Sequence, residues 1–254
     1  MKRLFIILLL LFCLPANAGV IMMGGAGTIT EAAAGPIACS SYTGVSCEDF
    51  NNPSANYCVG TSGDNNCYVT YTSTGGTPDF TASGSTYGMS GTYCLAVEQY
   101  MIYHQTVFTE KNTLYFLVQA RIDAASADDD QNFFQIYDAN GDAAVGLRFT
   151  TSGGYGVISV GGTVAKSANS KISVDTTYWF RGKYTKGTGT NAESKISLWN
   201  GSSWEDYIVS SDGTSTSGAR GYAFRNYYSN TPTIIHYGII KFSESEFSNA
   251  PTTY

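Results

Sequence analysis

The sequence predicts an all-β protein, a two-sheet antiparallel sandwich of jelly-roll type. Several segments alternate apolar and polar residues with period two, the mark of a strand with one buried face. Asn-Gly pairs separate neighbouring apolar segments, and 28 glycines mark further turns. No segment holds a helical period over three turns, and two-faced strands with no helices between them point to a sandwich or barrel.

Each element follows from the residues. In "TLYFLVQARID", residues 113–123, Leu114, Phe116, Val118, Ala120 and Ile122 point one way. Tyr115, Leu117, Gln119 and Arg121 point the other, the wetter way. "TYWFRGKY" repeats this, with Tyr178, Phe180, Gly182 and Tyr184 opposite Trp179, Arg181 and Lys183. "FFQIYDANGDAAVGLRF" is a hairpin turning at Asp138–Asp142, and "ISLWNGSSWEDYIV" a second turning at Asn200-Gly201, since Asn-Gly adopts the positive φ of tight reversals. "TIIHYGIIKF" is apolar on both faces, with Ile234, Gly238, Ile240 and Phe242 on one and Ile235, Tyr237 and Ile239 on the other. A strand covered on both sides sits inside a sheet. The closing strand is therefore expected to be central, with "VSCEDF", residues 45–50, beside it.

Residues 1–18 read as a signal peptide: basic Lys2 and Arg3, an apolar run from Leu4 to Leu14, and a small-x-small site at Ala16-Asn17-Ala18. The expected mature protein is secreted to the extracellular space and starts at Gly19. Its organisation is a Gly/Ala-rich lead over 19–36 and one domain over 37–254. The apolar run is shorter than the ~20 residues that span a bilayer, so no membrane insertion is expected. Without the leader the chain carries 12 basic and 20 acidic residues, a net charge near −8. Such a chain has no electrostatic hold on phosphate backbones, which argues against nucleic acid as a partner.

Export favours disulfides among the five cysteines outside the leader. Cys39–Cys47 and Cys58–Cys67 would each close a short loop. Four bridged cysteines allow three connectivities for each choice of the odd one. On the favoured pairing Cys94 is unpaired and sits in a core strand. A zinc site does not suit these spacings.

The stretches "SCEDFNN", "GMSGTYCLAVE", "LYFLVQARID", "QIYDANGDAAVGLRF", "TTYWFRGKY" and "IIHYGIIKFSE" together resemble the concanavalin A-like lectin/glucanase superfamily in its LamG-like form. The resemblance covers most of the mature chain and implies a two-sheet jelly roll whose concave sheet or rim loops often hold carbohydrate. It also implies where chemistry would sit in enzymatic members. The E-x-D-x-x-E string of the laminarinase-type branch is absent. Of the alginate-lyase set, Gln135-Ile136-Tyr137 has Tyr in the His place, the R-x-E-x-R strand is missing, and "YWFRGKY" matches Y-F-K-A-G only faintly. No catalytic residue is assigned, and the protein is expected not to be an enzyme.

Calcium is the metal that the acidic loops would suit, with Asp128, Asp129 and Asp130 as candidate ligands. The family's calcium position is weakened by Gly238, which stands where an Asp is common. His236 reads as a satisfied structural histidine and His104 as a strand-end residue. Sugars stack their C–H faces on aromatic rings while amides and guanidinium groups bond the hydroxyls. Trp199 and Trp204 flank one hairpin, and "RGYAFRNYYSN" gathers aromatic and polar groups. The expected ligand-binding residues are Trp204, Tyr222, Arg225, Asn226, Tyr227 and Tyr228. The leading reading is a secreted carbohydrate-binding, lectin-like module whose partner is a polysaccharide or other glycan. The rival is a structural or adhesive protein making protein contacts at a cell or virion surface. A polysaccharide-active hydrolase or lyase stands third.

Overall fold

The computed structural model describes residues 39–50, 59–60, 68–72, 79–91, 93–98, 100–104, 108–123, 131–149, 153–159, 166–168, 171–211, 216–225 and 234–253. The chain divides into a segment Met1–Ala33, outside the described residues, and a compact unit Ala34–Tyr254. Helical turns among the described residues are short 3₁₀ turns at Cys39–Ser41, Gly189–Asn191 and Pro251–Thr253. None is long and apolar enough to cross a membrane.

The first sheet holds β1 (Ser46–Glu48), β4 (Asp79–Ser83), β5 (Tyr93–Glu98), β7 (Thr113–Ile122), β12 (Thr177–Thr185), β13 (Glu193–Leu198), β14 (Ile208–Ser210) and β16 (Ile234–Ser243). Its order is β14-β13-β12-β7-β16-β5-β4, with β1 also paired to β16. The second sheet holds β2 (Val59–Gly60), β3 (Tyr68–Thr72), β6 (Tyr100–His104), β8 (Gln131–Asp138), β9 (Ala143–Phe149), β10 (Tyr155–Ser159), β11 (Lys166–Ala168) and β15 (Ala219–Arg225). It runs β11-β10-β9-β8-β15-β6-β3-β2. Every described pairing is antiparallel except that of β2 with β3.

Side chains from both sheets close one core. Phe134 of β8 lies 5.8 Å from Phe116 of β7 and 6.4 Å from Phe242 of β16, ring to ring across the sandwich. Phe224 of β15 meets Tyr237 of β16 at 4.6 Å, and the Tyr237 hydroxyl donates to the Phe133 carbonyl. Leu114, Phe116, Val118 and Ala120 of β7 join this core, as do Phe180 and Tyr184 of β12. Both hairpins turn where Asn-Gly falls. Gly141 has φ 84° and Gly201 φ 98°, a region that only glycine enters freely.

The closing strand is central. β16 pairs with β7 along one edge, while its other edge pairs with β5 through Ile234–Tyr237 and with β1 through Ile240–Phe242. The expected faces hold only in part. Tyr237 pairs with Ala120 but Ile240 with Val118, so three residues of β16 step past two of β7. This bulge flips the alternation. Ile235 and Tyr237 face the core before it, and Ile240 and Phe242 after it. Gly238 sits in the bulge because a Cβ there would lie 2.3 Å from Gln119 Oε1.

The outer side of the first sheet is drier than its polar residues suggest. Leu117 and Gln119 are buried, not wet. Segment 84–91 lies over them: Ser90 N donates to Gln119 Oε1, and Gln119 Nε2 donates to Ser90 Oγ, both at 3.0 Å. The chain end covers another part. The Phe247 side chain is buried, and its carbonyl accepts from Arg181 Nη1 at 2.9 Å. Lys241, opposite Cys47 in the β1 pairing, has no exposed surface. Burial lowers its ammonium pKa from 10.5 to about 8, against the pull of Asp49.

Candidate functional site

The hairpin after β13 builds one wall of a pocket. Asn200 Oδ1 accepts from the backbone N–H of Ser202 and Ser203, at 3.0 and 2.9 Å, which fixes the turn locally. Trp199 and Trp204 face each other across the hairpin as a bridge pair, and their rings meet edge to face at 5.3 Å. Glu205 N donates to the Leu198 carbonyl at 2.8 Å, and the Glu205 carbonyl accepts from the Ser197 hydroxyl. The hairpin is therefore held at tip and base.

The pocket, about 370 Å³, lies where this hairpin meets the start of β12 and the segment before it. Trp179, Trp199, Asn200, Thr177, Lys171 and Glu205 are the side chains that matter to its chemistry. Neither the Trp179 nor the Trp199 indole N–H is bonded to another described residue. Glu205 is engaged on both oxygens, by Lys171 Nζ at 3.1 Å and by the Tyr155 hydroxyl at 3.0 Å. Burial and the neighbouring Glu205 carboxylate push the Tyr155 phenol pKa upward, so it remains a donor.

Trp204, an expected ligand-binding residue, does not line this pocket. Its indole N–H donates to the Asn249 carbonyl at 2.7 Å. The Arg181 guanidinium lies 4.9 Å from its ring and 4.5 Å from that of Tyr207. Trp204 thus ties the chain end to the hairpin and backs Trp199. Tyr222 corrects the expectation outright. It is 3% exposed in the core, 5.0 Å from Phe242 and 5.4 Å from Phe224, so no sugar can stack on it. Its burial follows from period two, because Tyr222 and Phe224 share the inward face of β15. Arg225 ends that strand and only its backbone is described. Asn226, Tyr227 and Tyr228 lie outside the described residues, as do Asp128, Asp129 and Asp130. Among the described residues no cluster of three or more His, Cys, Asp or Glu could hold a metal. Asp138 instead caps its turn, accepting from Asn140 N and Asp142 N.

Cys39 and Cys47 form a disulfide, with a Cα–Cα distance of 5.3 Å. Cys58 and Cys67 are outside the described residues. Cys94 is a free, buried thiol whose Sγ–H points at the Ala82 carbonyl, and burial pushes its pKa up to about 12. That thiol is no nucleophile.

His236 is less satisfied than expected. Its ring stacks on Tyr87 at 3.6 Å, and Nδ1 lies 3.3 Å from Asp123 Oδ2 without hydrogen-bond geometry. Burial lowers its pKa, and Asp123 opposes this. Arg121 already holds Asp123 at 2.5 Å and Asp175 at 3.1 Å. On the second sheet, Gln135 and Arg148 alternate with core residues and so face away from the core, yet each is only 5% exposed. The Tyr137 hydroxyl donates to Gln135 Oε1 at 3.2 Å.

Sequence reasoning missed Lys171, Thr177, Trp179 and Glu205 as lining residues. Only Glu205, beside a tryptophan in a predicted turn, offered a local signal.

No family model matches the chain, and no curated protein matches its sequence. Its fold is similar to that of endo-beta-1,4-glucuronan lyase from the fungus Trichoderma reesei, with a TM-score of 0.56 and 11% identity over 84% of this chain and 100% of that one. It is also similar to the structure titled "Cellulose induced protein, Cip1", with a TM-score of 0.50 and 13% identity over 80% of this chain and 99% of that one. At such identities the likeness speaks for the fold alone, and together with the paired antiparallel sheets it gives this chain a two-sheet jelly-roll fold.

Proposed function

We propose that this is an exported, non-catalytic carbohydrate-binding protein whose sugar site is the pocket between Trp179 and Trp199. The observation that carries the reading is two indoles lining one pocket of about 370 Å³, a volume in the range of small-ligand sites. A pyranose offers its C–H face to such rings, and their N–H groups can donate to its hydroxyls. The walls are fixed by the turn bonds of Asn200 and the backbone bonds of Glu205, so little ordering cost falls on binding. The likeness to a glucuronan lyase and a cellulose-induced protein is consistent with a carbohydrate ligand. The expected leader, cleaved after Ala18, is part of this proposal.

A glycan array followed by calorimetry tests it. Trp199→Ala should abolish measurable binding while the urea midpoint stays close to the parent's. A parent that binds no glycan on the array would overturn the reading in favour of a surface protein. The same array tests the patch Arg225, Asn226, Tyr227 and Tyr228.

A second reading, a polysaccharide lyase, rests on Gln135, Tyr137 and Arg148 sharing the outer face of the second sheet, where a phenol could move a proton beside a cation. Release of unsaturated uronate, lost in Tyr137→Phe, would establish it.

A further inference from the structure

We infer that the pocket selects a neutral sugar and turns away uronates. This rests on the carbohydrate reading above and narrows it. The charged side chains that line the pocket are Lys171 and Glu205, and they hold each other at 3.1 Å. The remaining Glu205 oxygen accepts from the Tyr155 hydroxyl. A ligand carboxylate therefore meets a cation that is already neutralised, beside a carboxylate of its own sign. Asn200 has its amide oxygen committed to the turn, and the Thr177 hydroxyl donates to the Tyr87 carbonyl at 2.6 Å. Arg121, on the strand paired with Thr177, is held by Asp123 and Asp175. What the pocket lining leaves uncommitted is the Trp179 and Trp199 indoles, whose N–H groups no described residue engages. Moving a carboxylate from water into such a site without a counter-charge is unfavourable, whereas hydroxyls and C–H faces lose little. The chain's net charge of −6, leader included, adds long-range repulsion of a polyanion.

The test is calorimetry of the full chain with cellohexaose, laminarihexaose and mannohexaose against oligoglucuronate and oligoalginate of matched length. At least one neutral oligosaccharide should bind at least ~10-fold more tightly than either uronate, and Trp199→Ala should remove that binding. Trp199→Phe, which keeps an aromatic ring against Trp204, should weaken it several-fold and serves if the alanine variant does not fold. Glu205→Gln frees the Lys171 ammonium. It should raise uronate affinity by up to about fivefold, the range of a partly exposed charge pair, with the gain erased by salt. If the parent binds uronates as tightly as neutral chains through Trp199, the inference is overturned while the carbohydrate reading stands. If it binds neutral chains but ignores both Trp199 substitutions, the pocket is wrong. If no oligosaccharide binds, the carbohydrate reading fails, and the inference with it.

Discussion

Lys241 allows a quantitative test of the packing around β1 and β16. Its ammonium has no exposed surface, and its pKa stands at about 8 against an ordinary 10.5. A shift of that size corresponds to about 3 kcal/mol held against the fold at pH 7. The Tyr42 ring, 5.2 Å from Nζ, returns about 1 kcal/mol. Lys241→Met keeps the length of the side chain and removes the buried charge, so it should stabilise the protein by about 1–3 kcal/mol at pH 7. The sign with pH follows from which state takes the proton first. Above pH 10.5 the amine is neutral folded and unfolded. As pH falls, the unfolded chain protonates near 10.5 and the folded chain only near 8, so stability drops across that window and levels off below 8. The parent should therefore close most of its gap to Lys241→Met between pH 7 and pH 10. Urea unfolding of both proteins at half-unit pH steps measures this. A gap that stays constant over that range, or a variant less stable than the parent at pH 7, would refute the reasoning.

Other substitutions probe neighbouring features. Ile240→Ala should cost about 2–5 kcal/mol, because the side chain is fully buried between the sheets and leaves a cavity. Denaturant midpoints will show it, and a silent substitution would contradict the central placement of β16. Gly238→Ala drives a methyl to within 2.3 Å of Gln119 Oε1 and should cost about 1–3 kcal/mol. Adding Gln119→Ala should recover much of that loss in a double-mutant cycle, and additive costs would mean the clash lies elsewhere. Replacing Cys39 and Cys47 by alanine opens a loop of sequence separation 8 and should cost about 2–3 kcal/mol, seen as a lower midpoint under non-reducing conditions.

What could be read from the sequence was what local physics decides. Asn140-Gly141 and Asn200-Gly201 announce their turns because positive φ is a property of those residues. β12 announces its inward face because alternation is unbroken along it, and β7 announces its own although Leu117 interrupts the opposite face. β16 announced its central place by carrying apolar residues on both faces, and for the same reason concealed its bulge. With Tyr237 and Ile239 on either side of Gly238, no charged residue marks the step where the faces exchange. The pocket was hidden for another reason. Lys171, Trp179 and Glu205 come from three chain segments, the latter two joined by the β12–β13 pairing and the first held by its backbone bond to Gly153. Tyr222 was misjudged although its alternation with Ala223 and Phe224 was visible, because a cluster of tyrosines and arginines drew attention to composition over period.

The bond from the Trp204 indole to the Asn249 carbonyl has an evolutionary consequence. Its acceptor belongs to the main chain, so any amino acid that keeps the local path preserves it. Drift in the identity of residues near position 249 should thus be tolerated while their spacing from β16 is not. A single deletion between Ser243 and Asn249 would withdraw the carbonyl, release Trp204, and loosen the ring that Trp199 leans on. On the carbohydrate reading proposed above, the length of the closing segment would then tune the pocket with every residue that lines it left as it was.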